Sequence, residues 1–414
     1  MYGSQKDIRH NLKMFFIDGV SFMPSMALIS ISAVIPYFLD QLGATTFQVA
    51  LATSMTLICV FVTQPIFGYI ASRTKSMHKT FGKILFLQRF SFLIFLLLIP
   101  VMAGADALLI NVFLVFWCVY NFFVGSYTVF HTPLLIRLLP PDKRGGIRGI
   151  GFAIGSLLGV GMSALIPLIL THVSFPYNYM VIFFLGLLFQ FVNAATFFFL
   201  RESADIPKTE PMGIAQYIKQ MPFSIRESFL FRAMILTCIF LAIANSLLPY
   251  YTLYAIRVFS ATEANIAVLA GLAIFAGAFA HIVFGYIVDR HGPRIIALIV
   301  ACLIIAAGVL ALTTNSLALL YVAWVLANLC NSGTMLATSL LLGEVSPKAK
   351  LPLYVGVYFT ISMALSAAIV LILAPVLENT GFALLFVTVL TCGLLSFFVN
   401  LFVLRKRMKQ DDLI

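Results

Sequence analysis

The chain alternates long apolar runs with short polar connections along almost its whole length. A helix needs about 20 apolar residues to cross the roughly 30 Å hydrocarbon core of a bilayer. Because backbone polar groups inside lipid must be satisfied within the segment, runs of this length predict helices rather than strands. Twelve runs qualify: 14–39, 46–71, 81–103, 108–138, 147–171, 178–200, 232–256, 263–288, 294–313, 317–343, 353–376 and 381–404.

Composition leads to the same class of protein. With 62% hydrophobic and 10% charged residues among 414, the chain has too little polar surface to cover a soluble globule. No cleavable signal pattern precedes the first run, so we expect Met1 to begin the mature chain. The six cysteines each fall in a different apolar run without metal-ligand spacing, and we expect all of them to be buried small hydrophobes: Cys59, Cys118, Cys238, Cys302, Cys330 and Cys392.

The basic residues are concentrated in alternate loops. Of the 26 lysines and arginines, 24 lie at the termini or in the loops that follow even-numbered helices; the other two are Arg89 and Arg257. The positive-inside rule then predicts that both termini lie in the cytoplasm. We expect the protein to reside in the plasma (inner) membrane. This distribution explains the net charge of +11 without a nucleic-acid partner.

A polar stretch with three prolines divides six predicted helices from the other six. We expect an N-terminal half at 1–200, a cytoplasmic linker at 201–231 and a C-terminal half at 232–414. Within the linker, Met212 to Met221 is either a short amphipathic helix on the inner membrane surface or an irregular tether.

The two halves repeat each other in a consistent register. The segment Phe67-Gly-Tyr-Ile recurs 217 residues later at Phe284, and Trp117-x-x-x-Asn121 recurs 207 residues later at 324–328. Those two tryptophans are the only ones in the chain. The repetition predicts two pseudo-symmetric bundles of six helices.

Between the eighth and ninth helices the chain reads G-x-x-x-D-R-x-G-x-R, from Gly285 to Arg294. With cytoplasmic termini and a central cytoplasmic loop, this resembles the major facilitator superfamily of secondary transporters. The resemblance implies an all-α membrane protein of twelve helices, with a substrate site between the halves near the midplane. The first-half copy departs from the motif at Ser72 and Lys75, and Asn121 stands where many proton-coupled exporters carry arginine.

The same resemblance implies a conformational latch at the cytoplasmic helix ends. Its candidates are Asp289, Arg290 and Arg294, with Asp289 facing the start of the fifth helix near Arg148. The alternative is a solvated group of charges that only follows the topology of the chain.

Three ionisable residues inside the first half are candidates for coupling. Charged side chains in the membrane are expensive, so Asp18 and Arg89 either pair with each other or Asp18 serves as a proton or cation site. The alternative is that Arg89 snorkels to the inner surface and Asp18 lies near the headgroups. His131 is either a structural histidine or part of a proton path, since histidine titrates near neutral pH.

Polar and aromatic residues of helices 4, 7 and 10 are candidates for substrate contact. They are Trp117, Asn121, Tyr250, Tyr251, Trp324, Asn328 and Asn331. Buried amides in a membrane must face protein or water, so they either bind substrate or join neighbouring helices. The tryptophans either stack on a ring-shaped substrate or fill helix interfaces.

These observations predict a secondary transporter of a small solute that works by alternating access, coupled to protons or ions or acting as a uniporter. We expect a neutral, amphiphilic or weakly charged substrate, with multidrug-like export and sugar-like import both open. No H-E-x-x-H or G-x-S-x-G motif points to an intramembrane enzyme, and no cofactor or metal is expected. A transport-inactive receptor or scaffold on the same fold is the remaining alternative.

Overall fold

The computed structural model describes residues 4–202, 229–345 and 351–411, and all the regular structure in these ranges is helical. The predicted surface helix at Met212 to Met221 lies outside the described residues. The helices up to residue 202 are α1 (Gln5–Leu28), α2 (Val34–Gln41), α3 (Thr46–Arg73), α4 (Met77–Leu98), α5 (Asp106–Val124), α6 (Ser126–Leu138), α7 (Pro141–Ser163), α8 (Leu165–His172) and α9 (Tyr177–Phe198). The later helices are α10 (Phe229–Ser246), α11 (Leu248–Phe259), α12 (Glu263–His291), α13 (Pro293–Thr313), α14 (Leu317–Val345), α15 (Leu351–Thr380) and α16 (Ala383–Asp411).

Hydropathy located most of the spanning helices to within a few residues. Within the described ranges, eleven stretches are long and apolar enough to cross a membrane. The predicted span 14–39 is different, because it consists of α1 and α2 with a break at 29–33. There the Ser30 hydroxyl accepts the Ala33 N–H at 3.1 Å, which diverts the backbone from the helical path.

Other predicted spans are divided by a single residue, as at Gly125, Ala164 and Leu247. The helix ends depend on polar caps as well as on hydropathy. Thr45 and Gln48 form a reciprocal capping box at the start of α3. Ser4 caps α1, which therefore begins nine residues before the apolar run that predicted it.

The described residues divide into two compact units. The first contains the residues up to 202 together with Thr262–Phe275, and the second contains the remainder. In the first unit α1 packs against α7 and α9, and α4 packs against α5 and α9. In the second unit α13 packs against α14 and α16, and α10 packs against α15 and α16.

Glycines bring the backbones of α1 and α7 into contact. A Cβ atom added at Gly155 would lie 2.7 Å from the carbonyl oxygen of Gly19 and 2.8 Å from that of Val20. One at Gly151 would lie 3.0 Å from the carbonyl oxygen of Phe16. A Cβ at Gly161 would meet nothing within 4 Å. Close packing therefore explains Gly151 and Gly155, as in other membrane helix pairs, but not Gly161.

The chain leaving α9 is held by the starts of α1 and α4. Glu202 accepts the Met77 N–H at 3.0 Å and lies 2.8 Å from Nδ1 of His78. Arg201 pairs with Asp7 at 3.1 Å. Because Ser76 makes no side-chain cap, Glu202 supplies from a distant part of the sequence the cap that α4 lacks.

The cysteines are less uniformly buried than the sequence predicts. Cys238, Cys330 and Cys392 are buried, whereas Cys59 and Cys118 are half-buried. Cys302 is exposed, so the expectation of burial is wrong for that residue. It lies on α13, where an apolar environment can be provided by lipid as well as by protein.

Candidate functional site

A buried polar network occupies the interior of the first unit. Its charged and titratable members are Asp18 on α1, Arg89 on α4 and His131 on α6, which are 4%, 4% and 1% exposed. The amides of Gln190 and Asn193 on α9 join them and are also buried. Because buried charges in a membrane are expensive, a network of this kind indicates a functional site.

Both oxygens of the Asp18 carboxylate have partners. One oxygen lies 3.0 Å from Nε2 of His131, and the other accepts a hydrogen bond from Nδ2 of Asn193 at 2.5 Å. From the sequence, Arg89 is one predicted partner of Asp18. In the described part of the chain those two residues meet only through Asn193, whose Oδ1 accepts from Nη2 of Arg89 at 3.1 Å.

Arg89 is fully engaged inside the unit. Its Nε donates to the carbonyl oxygen of Gln190 at 3.3 Å, and Nη1 donates to that of Leu85 at 3.2 Å and to the side chain of Gln88. The guanidinium has five N–H donors in a fixed plane, and these contacts hold that plane in place. The alternative that Arg89 snorkels to the membrane surface is therefore wrong for this structure.

Tyr120 holds both glutamine amides of the network. Its hydroxyl donates to Oε1 of Gln190 at 2.9 Å, and its carbonyl oxygen accepts from Nε2 of Gln88 at 3.1 Å. Because an amide has donors at one end and an acceptor at the other, the bond from Nε2 leaves Oε1 of Gln88 to accept from Arg89.

Aromatic rings surround His131. Tyr127 stacks on the imidazole with ring centroids 4.7 Å apart, and the edges of Phe15 and Phe197 meet it at 5.8 Å and 5.9 Å. Gly125 stands between α5 and α6, where a Cβ would collide with the Thr63 hydroxyl of α3. The glycine thus lets the helix that carries His131 begin close to α3.

The two tryptophan–asparagine pairs adopt the same geometry. Nδ2 of Asn121 donates to the carbonyl oxygen of Trp117 at 2.8 Å, and Nδ2 of Asn328 donates to that of Trp324 at 2.9 Å. All four side chains are buried. The motif that recurs in the sequence therefore has the same local geometry in both halves. Substrate contact by these four residues stays a prediction.

The tryptophan of the first half is part of helix packing. The indole N–H of Trp117 donates to the carbonyl oxygen of Ala52 at 3.0 Å, and its ring stacks on Tyr120 at 5.2 Å. In the second unit Tyr251 lies near Trp324, with centroids 6.3 Å apart. These contacts favour the packing role for the aromatic residues.

The remaining substrate candidates differ in environment. The Tyr250 hydroxyl donates to the carbonyl oxygen of Val370 at 2.7 Å, which turns it towards α15. The Tyr251 hydroxyl is buried and has no hydrogen-bond partner among the described residues. Asn331 is exposed on α14. Of these three side chains, only that of Asn331 is accessible in this structure.

The predicted latch is only partly described. The guanidinium of Arg290 lies 4.4 Å from the centre of the Tyr286 ring. Nε of Arg294 pairs with Glu344 at 3.5 Å, a partner that the sequence analysis missed. The side chains of Asp289 and Arg148 lie outside the described part. Gly292 has φ of +79°, which permits the tight turn between α12 and α13.

The network residues that sequence reasoning missed are amides of α9. Gln190 and Asn193 stand three positions apart in an otherwise apolar run, a spacing that places them on one helix face. That spacing was a usable signal, because two amides on one face of a spanning helix must find partners. Within the described ranges no three His, Cys, Asp or Glu side chains come together as metal ligands.

The chain matches the profile of a known protein family along most of its length. The profile of the Major Facilitator Superfamily matches residues 17–280 and 233–412. No curated protein sequence matches the chain significantly.

Solved structures of transporters share its fold at low sequence identity. The human organic anion transporter MFSD10 (TETRAN) is 16% identical with a TM-score of 0.65, over 95% of this chain and 99% of that one. The proton:xylose symporter XylE is 14% identical with a TM-score of 0.68, over 97% and 96%. A bacterial homologue of the iron transporter ferroportin is 15% identical with a TM-score of 0.62, over 95% and 98%.

Proposed function

Because the chain belongs to the major facilitator superfamily of membrane transporters, we propose that it moves a small solute by alternating access and couples this movement to protons at Asp18 and His131. The observation that carries the proposal is the 3.0 Å contact between the Asp18 carboxylate and the His131 imidazole, both buried. A coupling site needs a group that exchanges protons near neutral pH, and histidine does so.

The surroundings of the pair support this role. A proton bound by either partner raises the charge of the network by one unit, and a charge in a low-dielectric interior is costly. Proton exchange is therefore favoured when the site is open to water, which links it to the conformational cycle. Asn193 links the Asp18 carboxylate to the guanidinium of Arg89, so a change at Asp18 can reach Arg89 through this amide.

The charged residues inside the first unit also bear on the class of substrate. The interior charges described in the first unit, Asp18 and Arg89, are already held in the network. This favours a neutral, amphiphilic or weakly charged solute over a polyanion. The structural neighbours transport a sugar, organic anions and iron, so multidrug-like export and sugar-like import both remain candidates.

The test begins with a ligand for the purified protein. A solute library is screened by thermal shift, since a ligand of the folded state raises apparent stability. Uptake of the hit is then followed in proteoliposomes with and without a pH gradient. We expect the wild type to accumulate solute when a gradient is imposed. Asp18→Asn should exchange solute across the membrane but fail to accumulate it.

Matched controls distinguish coupling from folding. Asp106→Asn and His172→Gln change exposed residues at helix ends and should accumulate solute normally. Accumulation by Asp18→Asn and by His131→Gln at the wild-type level would refute the coupling site and leave uniport or another coupling ion.

Orientation in the membrane is part of the same proposal. The distribution of basic residues supports a cytoplasmic location for both termini. In a cysteine-free background, Ala105→Cys should react with an impermeant maleimide from outside, whereas Ser4→Cys should react only after permeabilisation. The reverse pattern would overturn this orientation.

A further inference from the structure

A groove runs along the outer side of the second unit between α10 and α16. It has a volume of about 460 Å³. Apolar side chains form its walls, namely Phe229, Ala233, Leu236, Phe398, Val399 and Phe402. Two of the phenylalanines, Phe398 and Phe402, are each 61% exposed. The small side chain of Ala233 gives the groove its depth.

One charged residue lines the groove. Arg232 is exposed at the start of α10, and no carboxylate pairs with it among the described residues. In the orientation that the basic residues predict, this end of α10 faces the cytoplasmic leaflet, where anionic headgroups collect.

From Phe229 to Leu236 the groove covers about two helical turns, roughly 10 Å, whereas the hydrocarbon of one leaflet is roughly 15 Å thick. The groove can therefore hold about two thirds of the depth of one acyl chain, the part nearest the headgroup.

We infer that this groove binds one anionic phospholipid, with the acyl chain along α10 and α16 and the phosphate on Arg232. Apolar walls alone do not select a lipid, because the surrounding bilayer is equally apolar. Selectivity must come from the headgroup, and arginine binds phosphate with two parallel hydrogen bonds.

The experiment measures lipid bound to the full-length protein by native mass spectrometry. The protein is titrated in detergent with phosphatidylglycerol or with phosphatidylcholine of the same acyl chains. We expect one phosphatidylglycerol to bind in preference to phosphatidylcholine. Arg232→Gln should weaken phosphatidylglycerol binding about fivefold, which corresponds to the contribution of one basic residue at an anionic surface.

Two controls locate the site. Arg290→Gln removes another exposed arginine outside the groove and should leave binding unchanged. Leu236→Trp fills the groove and should weaken binding of both lipids, whereas Leu395→Trp, at an exposed position of α16 outside it, should not.

The inference would be overturned by equal binding of the two lipids. It would also be overturned if Arg290→Gln weakened binding as much as Arg232→Gln, or if Leu236→Trp had no effect. All four substituted residues are exposed in the structure. A melting temperature in phosphatidylcholine equal to that of the wild type confirms that each variant folds.

Discussion

The contact between α1 and α7 can be tested with two glycine substitutions. A Cβ at Gly155 would lie 2.7 Å from a carbonyl oxygen, whereas such contacts are ordinarily about 3.3 Å or longer. Gly155→Ala must therefore push α1 away by about 0.6 Å, since the atoms in the way belong to its backbone. Overpacking of this kind costs about 1–3 kcal/mol.

The Gly161→Ala variant is the matched control. Both substitutions favour the helix by roughly 0.5–1 kcal/mol through the loss of glycine flexibility, but only Gly155→Ala meets other atoms. The difference between the two variants isolates the steric cost. We expect Gly155→Ala to be less stable than Gly161→Ala by about 1–3 kcal/mol.

The measurement is chemical unfolding of both purified variants in the same mixed micelles. Solute accumulation in proteoliposomes is followed alongside, because Asp18 precedes the Gly19 that contacts α7. We expect accumulation to fall further for Gly155→Ala than for Gly161→Ala. Equal stability of the two variants would refute the backbone contact.

Three further predictions concern the buried network and the starts of α1 and α4. Asn193→Leu leaves a buried carboxylate oxygen and a guanidinium N–H without partners, and should lower unfolding stability by about 2–4 kcal/mol in the same assay; a loss below about 0.5 kcal/mol would contradict the network. Glu202→Ala should cost about 0.5–2 kcal/mol by uncapping α4, while Glu202→Gln keeps an acceptor and most of the stability; equal losses in both would refute the cap. The pKa of Asp7 is lowered by hydrogen bonds from Ser4 and then Arg201, so its stabilising contribution is present above pH 3.8 and is lost as the pH falls below that value. The difference in melting temperature between wild type and Asp7→Asn should shrink over that acidic range and should not shrink at higher pH.

The spanning helices could be predicted because lipid imposes one simple requirement on them. The run predicted at 294–313 is the helix Pro293–Thr313. Breaks inside spans could not be predicted, because hydropathy does not report side-chain contacts. These contacts are local at Ser30, which bonds the Ala33 N–H, and between helices at Gly125, which lies close to Thr63 on α3.

The charged and titratable residues of the candidate site could be predicted from the sequence. Which of these residues contact each other could not. Asp18, Arg89 and His131 stood out because charge is rare in lipid. Which of them meet depends on helix rotation, which hydropathy does not report, and the structure joins Asp18 to His131 across 113 positions. Asn193 was overlooked because a single amide carries no charge, although it connects the acid to the arginine.

The cap that Glu202 provides has a mechanical consequence. Residue 202 is where the polypeptide passes from α9 towards the central connection, and its carboxylate is fastened to the first backbone N–H of α4. A displacement of residue 202 would therefore act on α4, the helix that carries Arg89, and not only on the end of α9. The exit from α9 and the guanidinium inside the first unit are in this way mechanically linked through one carboxylate.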